Sequence, residues 1–179
     1  MPGNVQRIAS LAVLVLSVGA SLAATAAPPP AAGPASAALE RFKALAGDWV
    51  AADDGQMVKK GDLVARYAVT AGGSAVVETV FPGQAHEMVT VYHAEGPDLV
   101  LTHYCTEGNQ PRMRAKNVGG SRFDFAFDGG ANIDPKRDRH MHSASVELAG
   151  ADEIRSVWTE LADGKPVLVV KSHLVRSGR

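Results

Sequence analysis

The chain has 179 residues, a near balance of 18 Lys and Arg against 19 Asp and Glu, and one cysteine. The formal net charge of −1 argues against a nucleic-acid or acidic-membrane partner, either of which favours a basic excess. Cys105 is the only cysteine and has no internal disulfide partner, so the fold must rest on packing.

The amino-terminal stretch has three parts. Met1 to Arg7 carries one positive charge, Ile8 to Leu22 is apolar and uncharged, and Ala24-Thr25-Ala26 is a small-x-small site followed by Pro28-Pro29-Pro30. This order reads as a cleavable signal peptide over residues 1–26, and it implies export to the periplasm or the exterior. The apolar run is about 15 residues, short of the roughly 20 that span a bilayer, so no integral membrane contact is expected. Residues 27–36 form an Ala/Pro-rich linker. Residues 37–179 are enough for one domain.

A short amphipathic helix is expected at Ser36–Ala46, with Ser36 as its cap, Leu39, Phe42 and Leu45 on its apolar stripe and Gly47 as its stop. Short β-type runs separated by Gly, Asp, Asn and Pro follow. Strands are predicted at Asp48–Ala52, Leu63–Thr70, Ala75–Phe81, Glu87–His93, Leu99–Cys105, Arg112–Asn117, Arg122–Phe127, Met141–Leu148, Glu153–Glu160 and Val167–Arg176. About ten strands joined by tight turns form a meander, which hides its edges most simply by closing into an antiparallel up-and-down barrel. A barrel of that size has room for one small ligand.

Alternation assigns the inward side chains. These are Leu63, Ala65, Tyr67 and Val69; Met113 and Ala115, against Arg112 and Arg114; Phe123, Phe125 and Phe127; and His140, His142, Ala144, Val146 and Leu148. Leu99, Leu101, His103 and Cys105 share one face of their strand. Glu78 points either inward with Val76 and Val80 or to water; an inward carboxylate needs a partner, for which Arg112, Arg114 or a protonated histidine are candidates. Trp158 shares a face with Ile154 and is assigned to the core, whereas His173 follows Lys171 to the surface.

Leu45-Ala46-Gly47-Asp48-Trp49, with Arg176 in the last strand, resembles the lipocalin and fatty-acid-binding-protein superfamily. There a Gly-x-Trp opens the first strand and an arginine of the last strand packs over the indole. The resemblance implies that structural role for Trp49 and Arg176. A second set of phrases includes Glu78-Thr79-Val80-Phe81-Pro82-Gly83, Leu101-Thr102-His103-Tyr104-Cys105, Gly108-Asn109-Gln110-Pro111-Arg112-Met113 and His140-Met141-His142. These resemble exported bacterial proteins with a lipocalin-like or nitrobindin-like, calycin-type barrel, a group without an established activity. Nitrobindin-like barrels bind haem through a histidine, so the resemblance adds haem as a cofactor alternative, with no histidine here matched to that ligand.

The expected site is a polar cluster on the inner wall. Tyr67, Phe123 and Phe125 line a cavity, and Glu78, Tyr92, His103, His140 and His142 orient a small, partly apolar ligand. Asn109 and Arg112 suit a polar head at the mouth, or else belong to an ordinary loop. His140 and His142 sit at i and i+2 on a strand, about 6.6 Å apart and on one side. They can begin a transition-metal site, with His103 as the leading third ligand and Cys105 or Glu78 as alternatives, or they can simply bond to water. Cys105 is either a nucleophile or a small core residue. Residues 132–139 are too long and charged for a hairpin turn and suit a short helical turn or a lid over the barrel mouth. A small-molecule-binding module is therefore the leading expectation, beside a metal or haem protein, an enzyme using the same cluster, and a structural envelope protein.

Overall fold

The computed structural model describes residues 33–115 and 118–178; the expected signal peptide, most of the linker and the end of the sixth expected strand lie outside them. The elements run α1 (Pro34–Lys43), β1 (Gly47–Ala51), β2 (Leu63–Thr70), β3 (Ala75–Val80), β4 (Met88–Glu95), β5 (Asp98–Tyr104), β6 (Gln110–Ala115), β7 (Arg122–Ala131), β8 (His140–Leu148), β9 (Glu153–Ala162) and β10 (Lys165–Arg176). Each strand pairs antiparallel with the next, and β1 pairs with both β2 and β10. The fold is thus the expected closed ten-stranded up-and-down barrel of the lipocalin and fatty-acid-binding-protein kind. No helix among the described residues is long and apolar enough to cross a membrane.

The helix begins two residues earlier than expected. Gly33 takes the cap position and Pro34 the first turn, where proline's fixed φ fits and its missing N–H costs nothing. Ser36 is therefore inside the helix rather than its cap, and the last residues assigned to the linker belong to α1. Ala35, Ala38, Leu39 and Phe42 are buried along one stripe. Phe42 reaches the barrel interior, with its ring centroid 4.6 Å from Tyr92, 5.1 Å from Phe123 and 6.4 Å from Phe125. The helix stops at Lys43; Gly47 opens β1 instead, at a φ of +127°. An added Cβ there would lie 3.3 Å from Arg176 Nη1, so both backbone shape and space call for glycine.

Trp49 and Arg176 behave as the resemblance implies. The guanidinium carbon lies 4.5 Å from the indole centre. Arg176 donates to the carbonyls of Ala44 and Ala46 at 3.0 Å and to Asp152 Oδ1 at 2.8 Å. Trp49 Nε1 donates to Leu45 O at 2.8 Å. Helix, first strand and last strand are tied at one point, and this end of the barrel is closed.

The other end is more open. Pairing between β1 and β10 stops at Ala51 and Leu174, with one further bond from Ala52 N to His173 O. From Lys165 to Ser172, β10 has β9 as its only strand neighbour. Residues 52–62 cross beside this gap. β7 continues past the expected Phe127 to Ala131, and at its register shift Gly130 passes very near β6; a Cβ there would sit 2.5 Å from Gln110 O. Residues 132–139 form a charged connection with one hydrogen-bonded turn, Asp138 N to Asp134 O at 2.8 Å.

Candidate functional site

A cavity of about 180 Å³ occupies the open half of the barrel. Its apolar walls include Met88, Met141, Val146, Ile154, Trp158 and Val170. Its polar groups are Tyr67, Glu78, Tyr92, His103 and Cys105, with Glu107, Arg139 and Glu160 nearer the mouth.

Strand register explains why the polar groups meet. Tyr67 pairs with Glu78, Glu78 with Thr90, and Thr90 with His103. Directly opposed residues on antiparallel strands project to the same side. One transverse row across β2, β3, β4 and β5 therefore carries tyrosine, carboxylate, hydroxyl and imidazole, and Tyr92 follows two residues after Thr90. Tyr67 OH donates to Glu78 Oε1 at 2.8 Å and Tyr92 OH to Oε2 at 2.7 Å. Thr90 Oγ1 and His103 Nδ1 are 2.9 Å apart. His103 Nε2 is buried without a partner, and the ring packs against Trp158 at 5.2 Å.

Burial sets the protonation of this row. It raises the Glu78 carboxyl above its ordinary value, with the two tyrosine hydroxyls pulling the other way. Both tyrosines are held well above their usual range by burial and by the carboxyl beside them. Burial lowers His103 to about 4, so its ring is neutral at pH 7. The Cys105 thiol is pushed up, chiefly by burial, which favours the thiol over the nucleophilic thiolate.

The structure brings together Tyr67, Glu78, Tyr92, His103 and Cys105, and it separates the other expected site residues from the cavity. Glu78 takes the inward alternative, but its partners are the two tyrosines rather than an arginine or histidine. Phe123 and Phe125 face inward as expected, yet they pack against Phe42 and do not line the cavity. The helix had already filled that half. Arg112 lies outside, bound to Glu95 and Asp128 in a surface network. Arg114 joins it through Glu95 at 2.6 Å and Asp98 at 3.0 Å; the two guanidiniums hold Glu95 down at about 2. Asn109 is buried, and its amide donates to Arg139 O at 2.6 Å, tying the 105–109 loop to the 132–139 connection. Val69, expected inward, is 44% exposed near the end of β2.

The expected trio of His103, His140 and His142 does not assemble. The ladder between β8 and β9 shifts register between Met141 and Ser143, which leaves His142 as an extra residue and resets the alternation. Met141 consequently lines the cavity, and the two histidines do not. They pack instead against Phe127, His140 tilted at 4.8 Å and His142 stacked at 5.2 Å. A carbonyl can only accept, so His140 Nδ1 donates to Asp138 O at 2.8 Å. In the neutral ring Nε2 is then the acceptor for His142 Nδ1–H, 3.1 Å away. The facing nitrogens are spent on each other. Burial, followed by the His140 neighbour, lowers His142 from its ordinary value. No group of three or more His, Cys, Asp or Glu among the described residues could hold a metal ion. Haem does not fit the cavity either: a volume of about 150 Å³ takes one benzene ring, and a porphyrin is several times larger.

Sequence reasoning missed the mouth. Glu160 is 2% exposed, and Arg139 donates to its two oxygens at 3.2 and 2.6 Å. Arg139 also lies 3.6 Å from Glu107. Alternation could have found Glu160, which shares a face with Ile154, Ser156 and Trp158. Trp158 itself, assigned to the core, is part of the cavity wall. His173 does reach the surface, but it is half-buried and bridges Asp53 at 2.6 Å and Glu153 at 3.0 Å. A comparison with protein-family models and with curated proteins finds no match to this chain.

Proposed function

We propose that the protein is an exported small-molecule-binding barrel whose ligand sits between Trp158 and the row formed by Tyr67, Glu78 and His103. The observation that carries this reading is a cavity of about 180 Å³ with apolar walls, one buried polar atom without a partner, His103 Nε2, and a buried carboxyl, Glu78, held only by two tyrosine hydroxyls. A side-chain-filled barrel needs none of these features. Buried polar atoms without partners are rare in folded proteins, and a ligand is one way to satisfy them. The volume suits a molecule of about one ring. Export rests on the amino-terminal pattern of charge, apolar run and small-residue exit. The likeness of the sequence phrases to exported bacterial barrels of the calycin type supports the same assignment.

Phenol, as a one-ring probe, tests the site. Its addition is expected to shift the NMR signals of the Trp158 indole and the His103 ring while leaving His140 and His142 unmoved. Shifts confined to the outer surface, or none at millimolar phenol, would refute the assignment. Amino-terminal sequencing of the protein recovered from the extracytoplasmic fraction tests export, with a new terminus expected near Ala26.

A further inference from the structure

Two carboxylates are buried in the wall of the same cavity, and they are treated differently. Glu160, at the mouth, has Arg139 across from both of its oxygens. Glu78, at the floor, has only two neutral hydroxyls among the described residues, and burial and those two hydroxyls set its ionisation. The cationic side chain next to it in β2, Arg66, is bound to Asp48 at 2.6 and 3.0 Å. A buried carboxylate ordinarily has a cation or a full set of donors. Each tyrosine occupies one position on one oxygen, and a carboxylate accepts about four bonds.

Resting on the reading of the cavity as a small-molecule site, we infer that the ligand is a one-ring apolar amine, bound as its ammonium ion with the charged head on the Glu78 carboxylate. The rest of the wall suits that class. Trp158, Phe81, Tyr67 and Tyr92 line the cavity, and aromatic faces attract cations through the ring quadrupole. His103 contributes a neutral ring, which adds no positive charge to the wall beside the head. His103 Nδ1 is engaged by Thr90 Oγ1 at 2.9 Å and Nε2 has no partner, so the ring offers the ligand a second polar contact. Arg139, the cation at the mouth, is neutralised by Glu160 and Glu107.

Benzylamine, benzyl alcohol and benzoate share a ring and differ in head-group charge, so calorimetric titration of each into the full chain isolates the inference. Benzylamine is expected to bind at least tenfold more tightly than benzyl alcohol, and benzoate most weakly. Glu78→Gln is expected to abolish the tenfold preference, so that benzylamine and benzyl alcohol, both titrated into the variant, bind alike. In the unsubstituted protein, benzylamine affinity relative to that of benzyl alcohol should fall as acid protonates Glu78, above the pH near 4 at which His103 also gains charge; this arm needs no variant to fold. Benzyl alcohol or benzoate binding as tightly as benzylamine would overturn the amine assignment and leave the cavity as a binding site. Binding by none of the three would overturn the binding reading itself.

Discussion

The two ends of the barrel are built from the same ten strands and reach opposite outcomes. At the helix end, Phe42 enters the interior and meets Tyr92, Phe123 and Phe125, while Arg176 seals Trp49. At the other end no helix of the described residues enters, and the space is left to a cavity with carboxyl and imidazole groups in its wall. Tyr92 belongs to both ends: its ring packs under Phe42 and its hydroxyl holds Glu78. Close packing and polar chemistry are thus segregated along one axis. The closed half supplies the stability that allows the open half to keep a buried carboxyl and the unpartnered His103 Nε2.

The largest test of this division is Phe42→Ala. Removing a fully buried ring at the closed end should cost about 3–5 kcal/mol, measurable by urea denaturation, and should loosen Tyr92 and with it Glu78. A loss below 1 kcal/mol would mean that the helix is not the plug. Next comes the pH response of the open end. With His103 near 4 in the folded chain and about 6.5 unfolded, the unfolded state binds the extra proton. Stability should therefore fall as pH drops from about 6.5 to about 4, by on the order of 3 kcal/mol. Glu78, raised by burial, gives the opposite slope above its unfolded value, so His103→Asn should expose a gentle stabilisation toward acid. Arg176→Ala removes the stacking over Trp49 and donors to two helix-end carbonyls. About 2 kcal/mol is expected there, with phenol affinity unchanged. The smallest effect belongs to Arg112→Ala on the exposed ion network, which should alter neither the cavity nor, appreciably, the melting temperature.

The fold was legible because period-two alternation and turn residues carry it. All ten strands appear within a few residues of their expected bounds, and Phe123, Met113, Ala115 and Tyr67 face inward as read. Half of the site was legible for the same reason. What failed needed information between strands. The row from Tyr67 to His103 depends on register, which alternation within one strand does not contain. His142 is lost to a bulge, one unpaired residue that no period reveals. Phe123 and Phe125 were placed on the correct face but not at the correct height, because the height depends on where Phe42 enters. Arg112 was readable as outward from its alternation with Met113, and its grouping with Asn109 at the mouth set that signal aside.

The short pairing of β1 with β10 has a consequence for traffic into the cavity. Met57, Val64 and Val170 belong both to the cavity wall and to a wider hollow of about 520 Å³ under residues 53–58. Because no ladder joins Lys165–Ser172 to a strand on that flank, the barrier between cavity and hollow there consists of side chains and the 53–58 segment, with no sheet hydrogen bonds across it. The Asp53–His173 contact fastens that segment to β10, so a single ion pair rather than a ladder closes this flank.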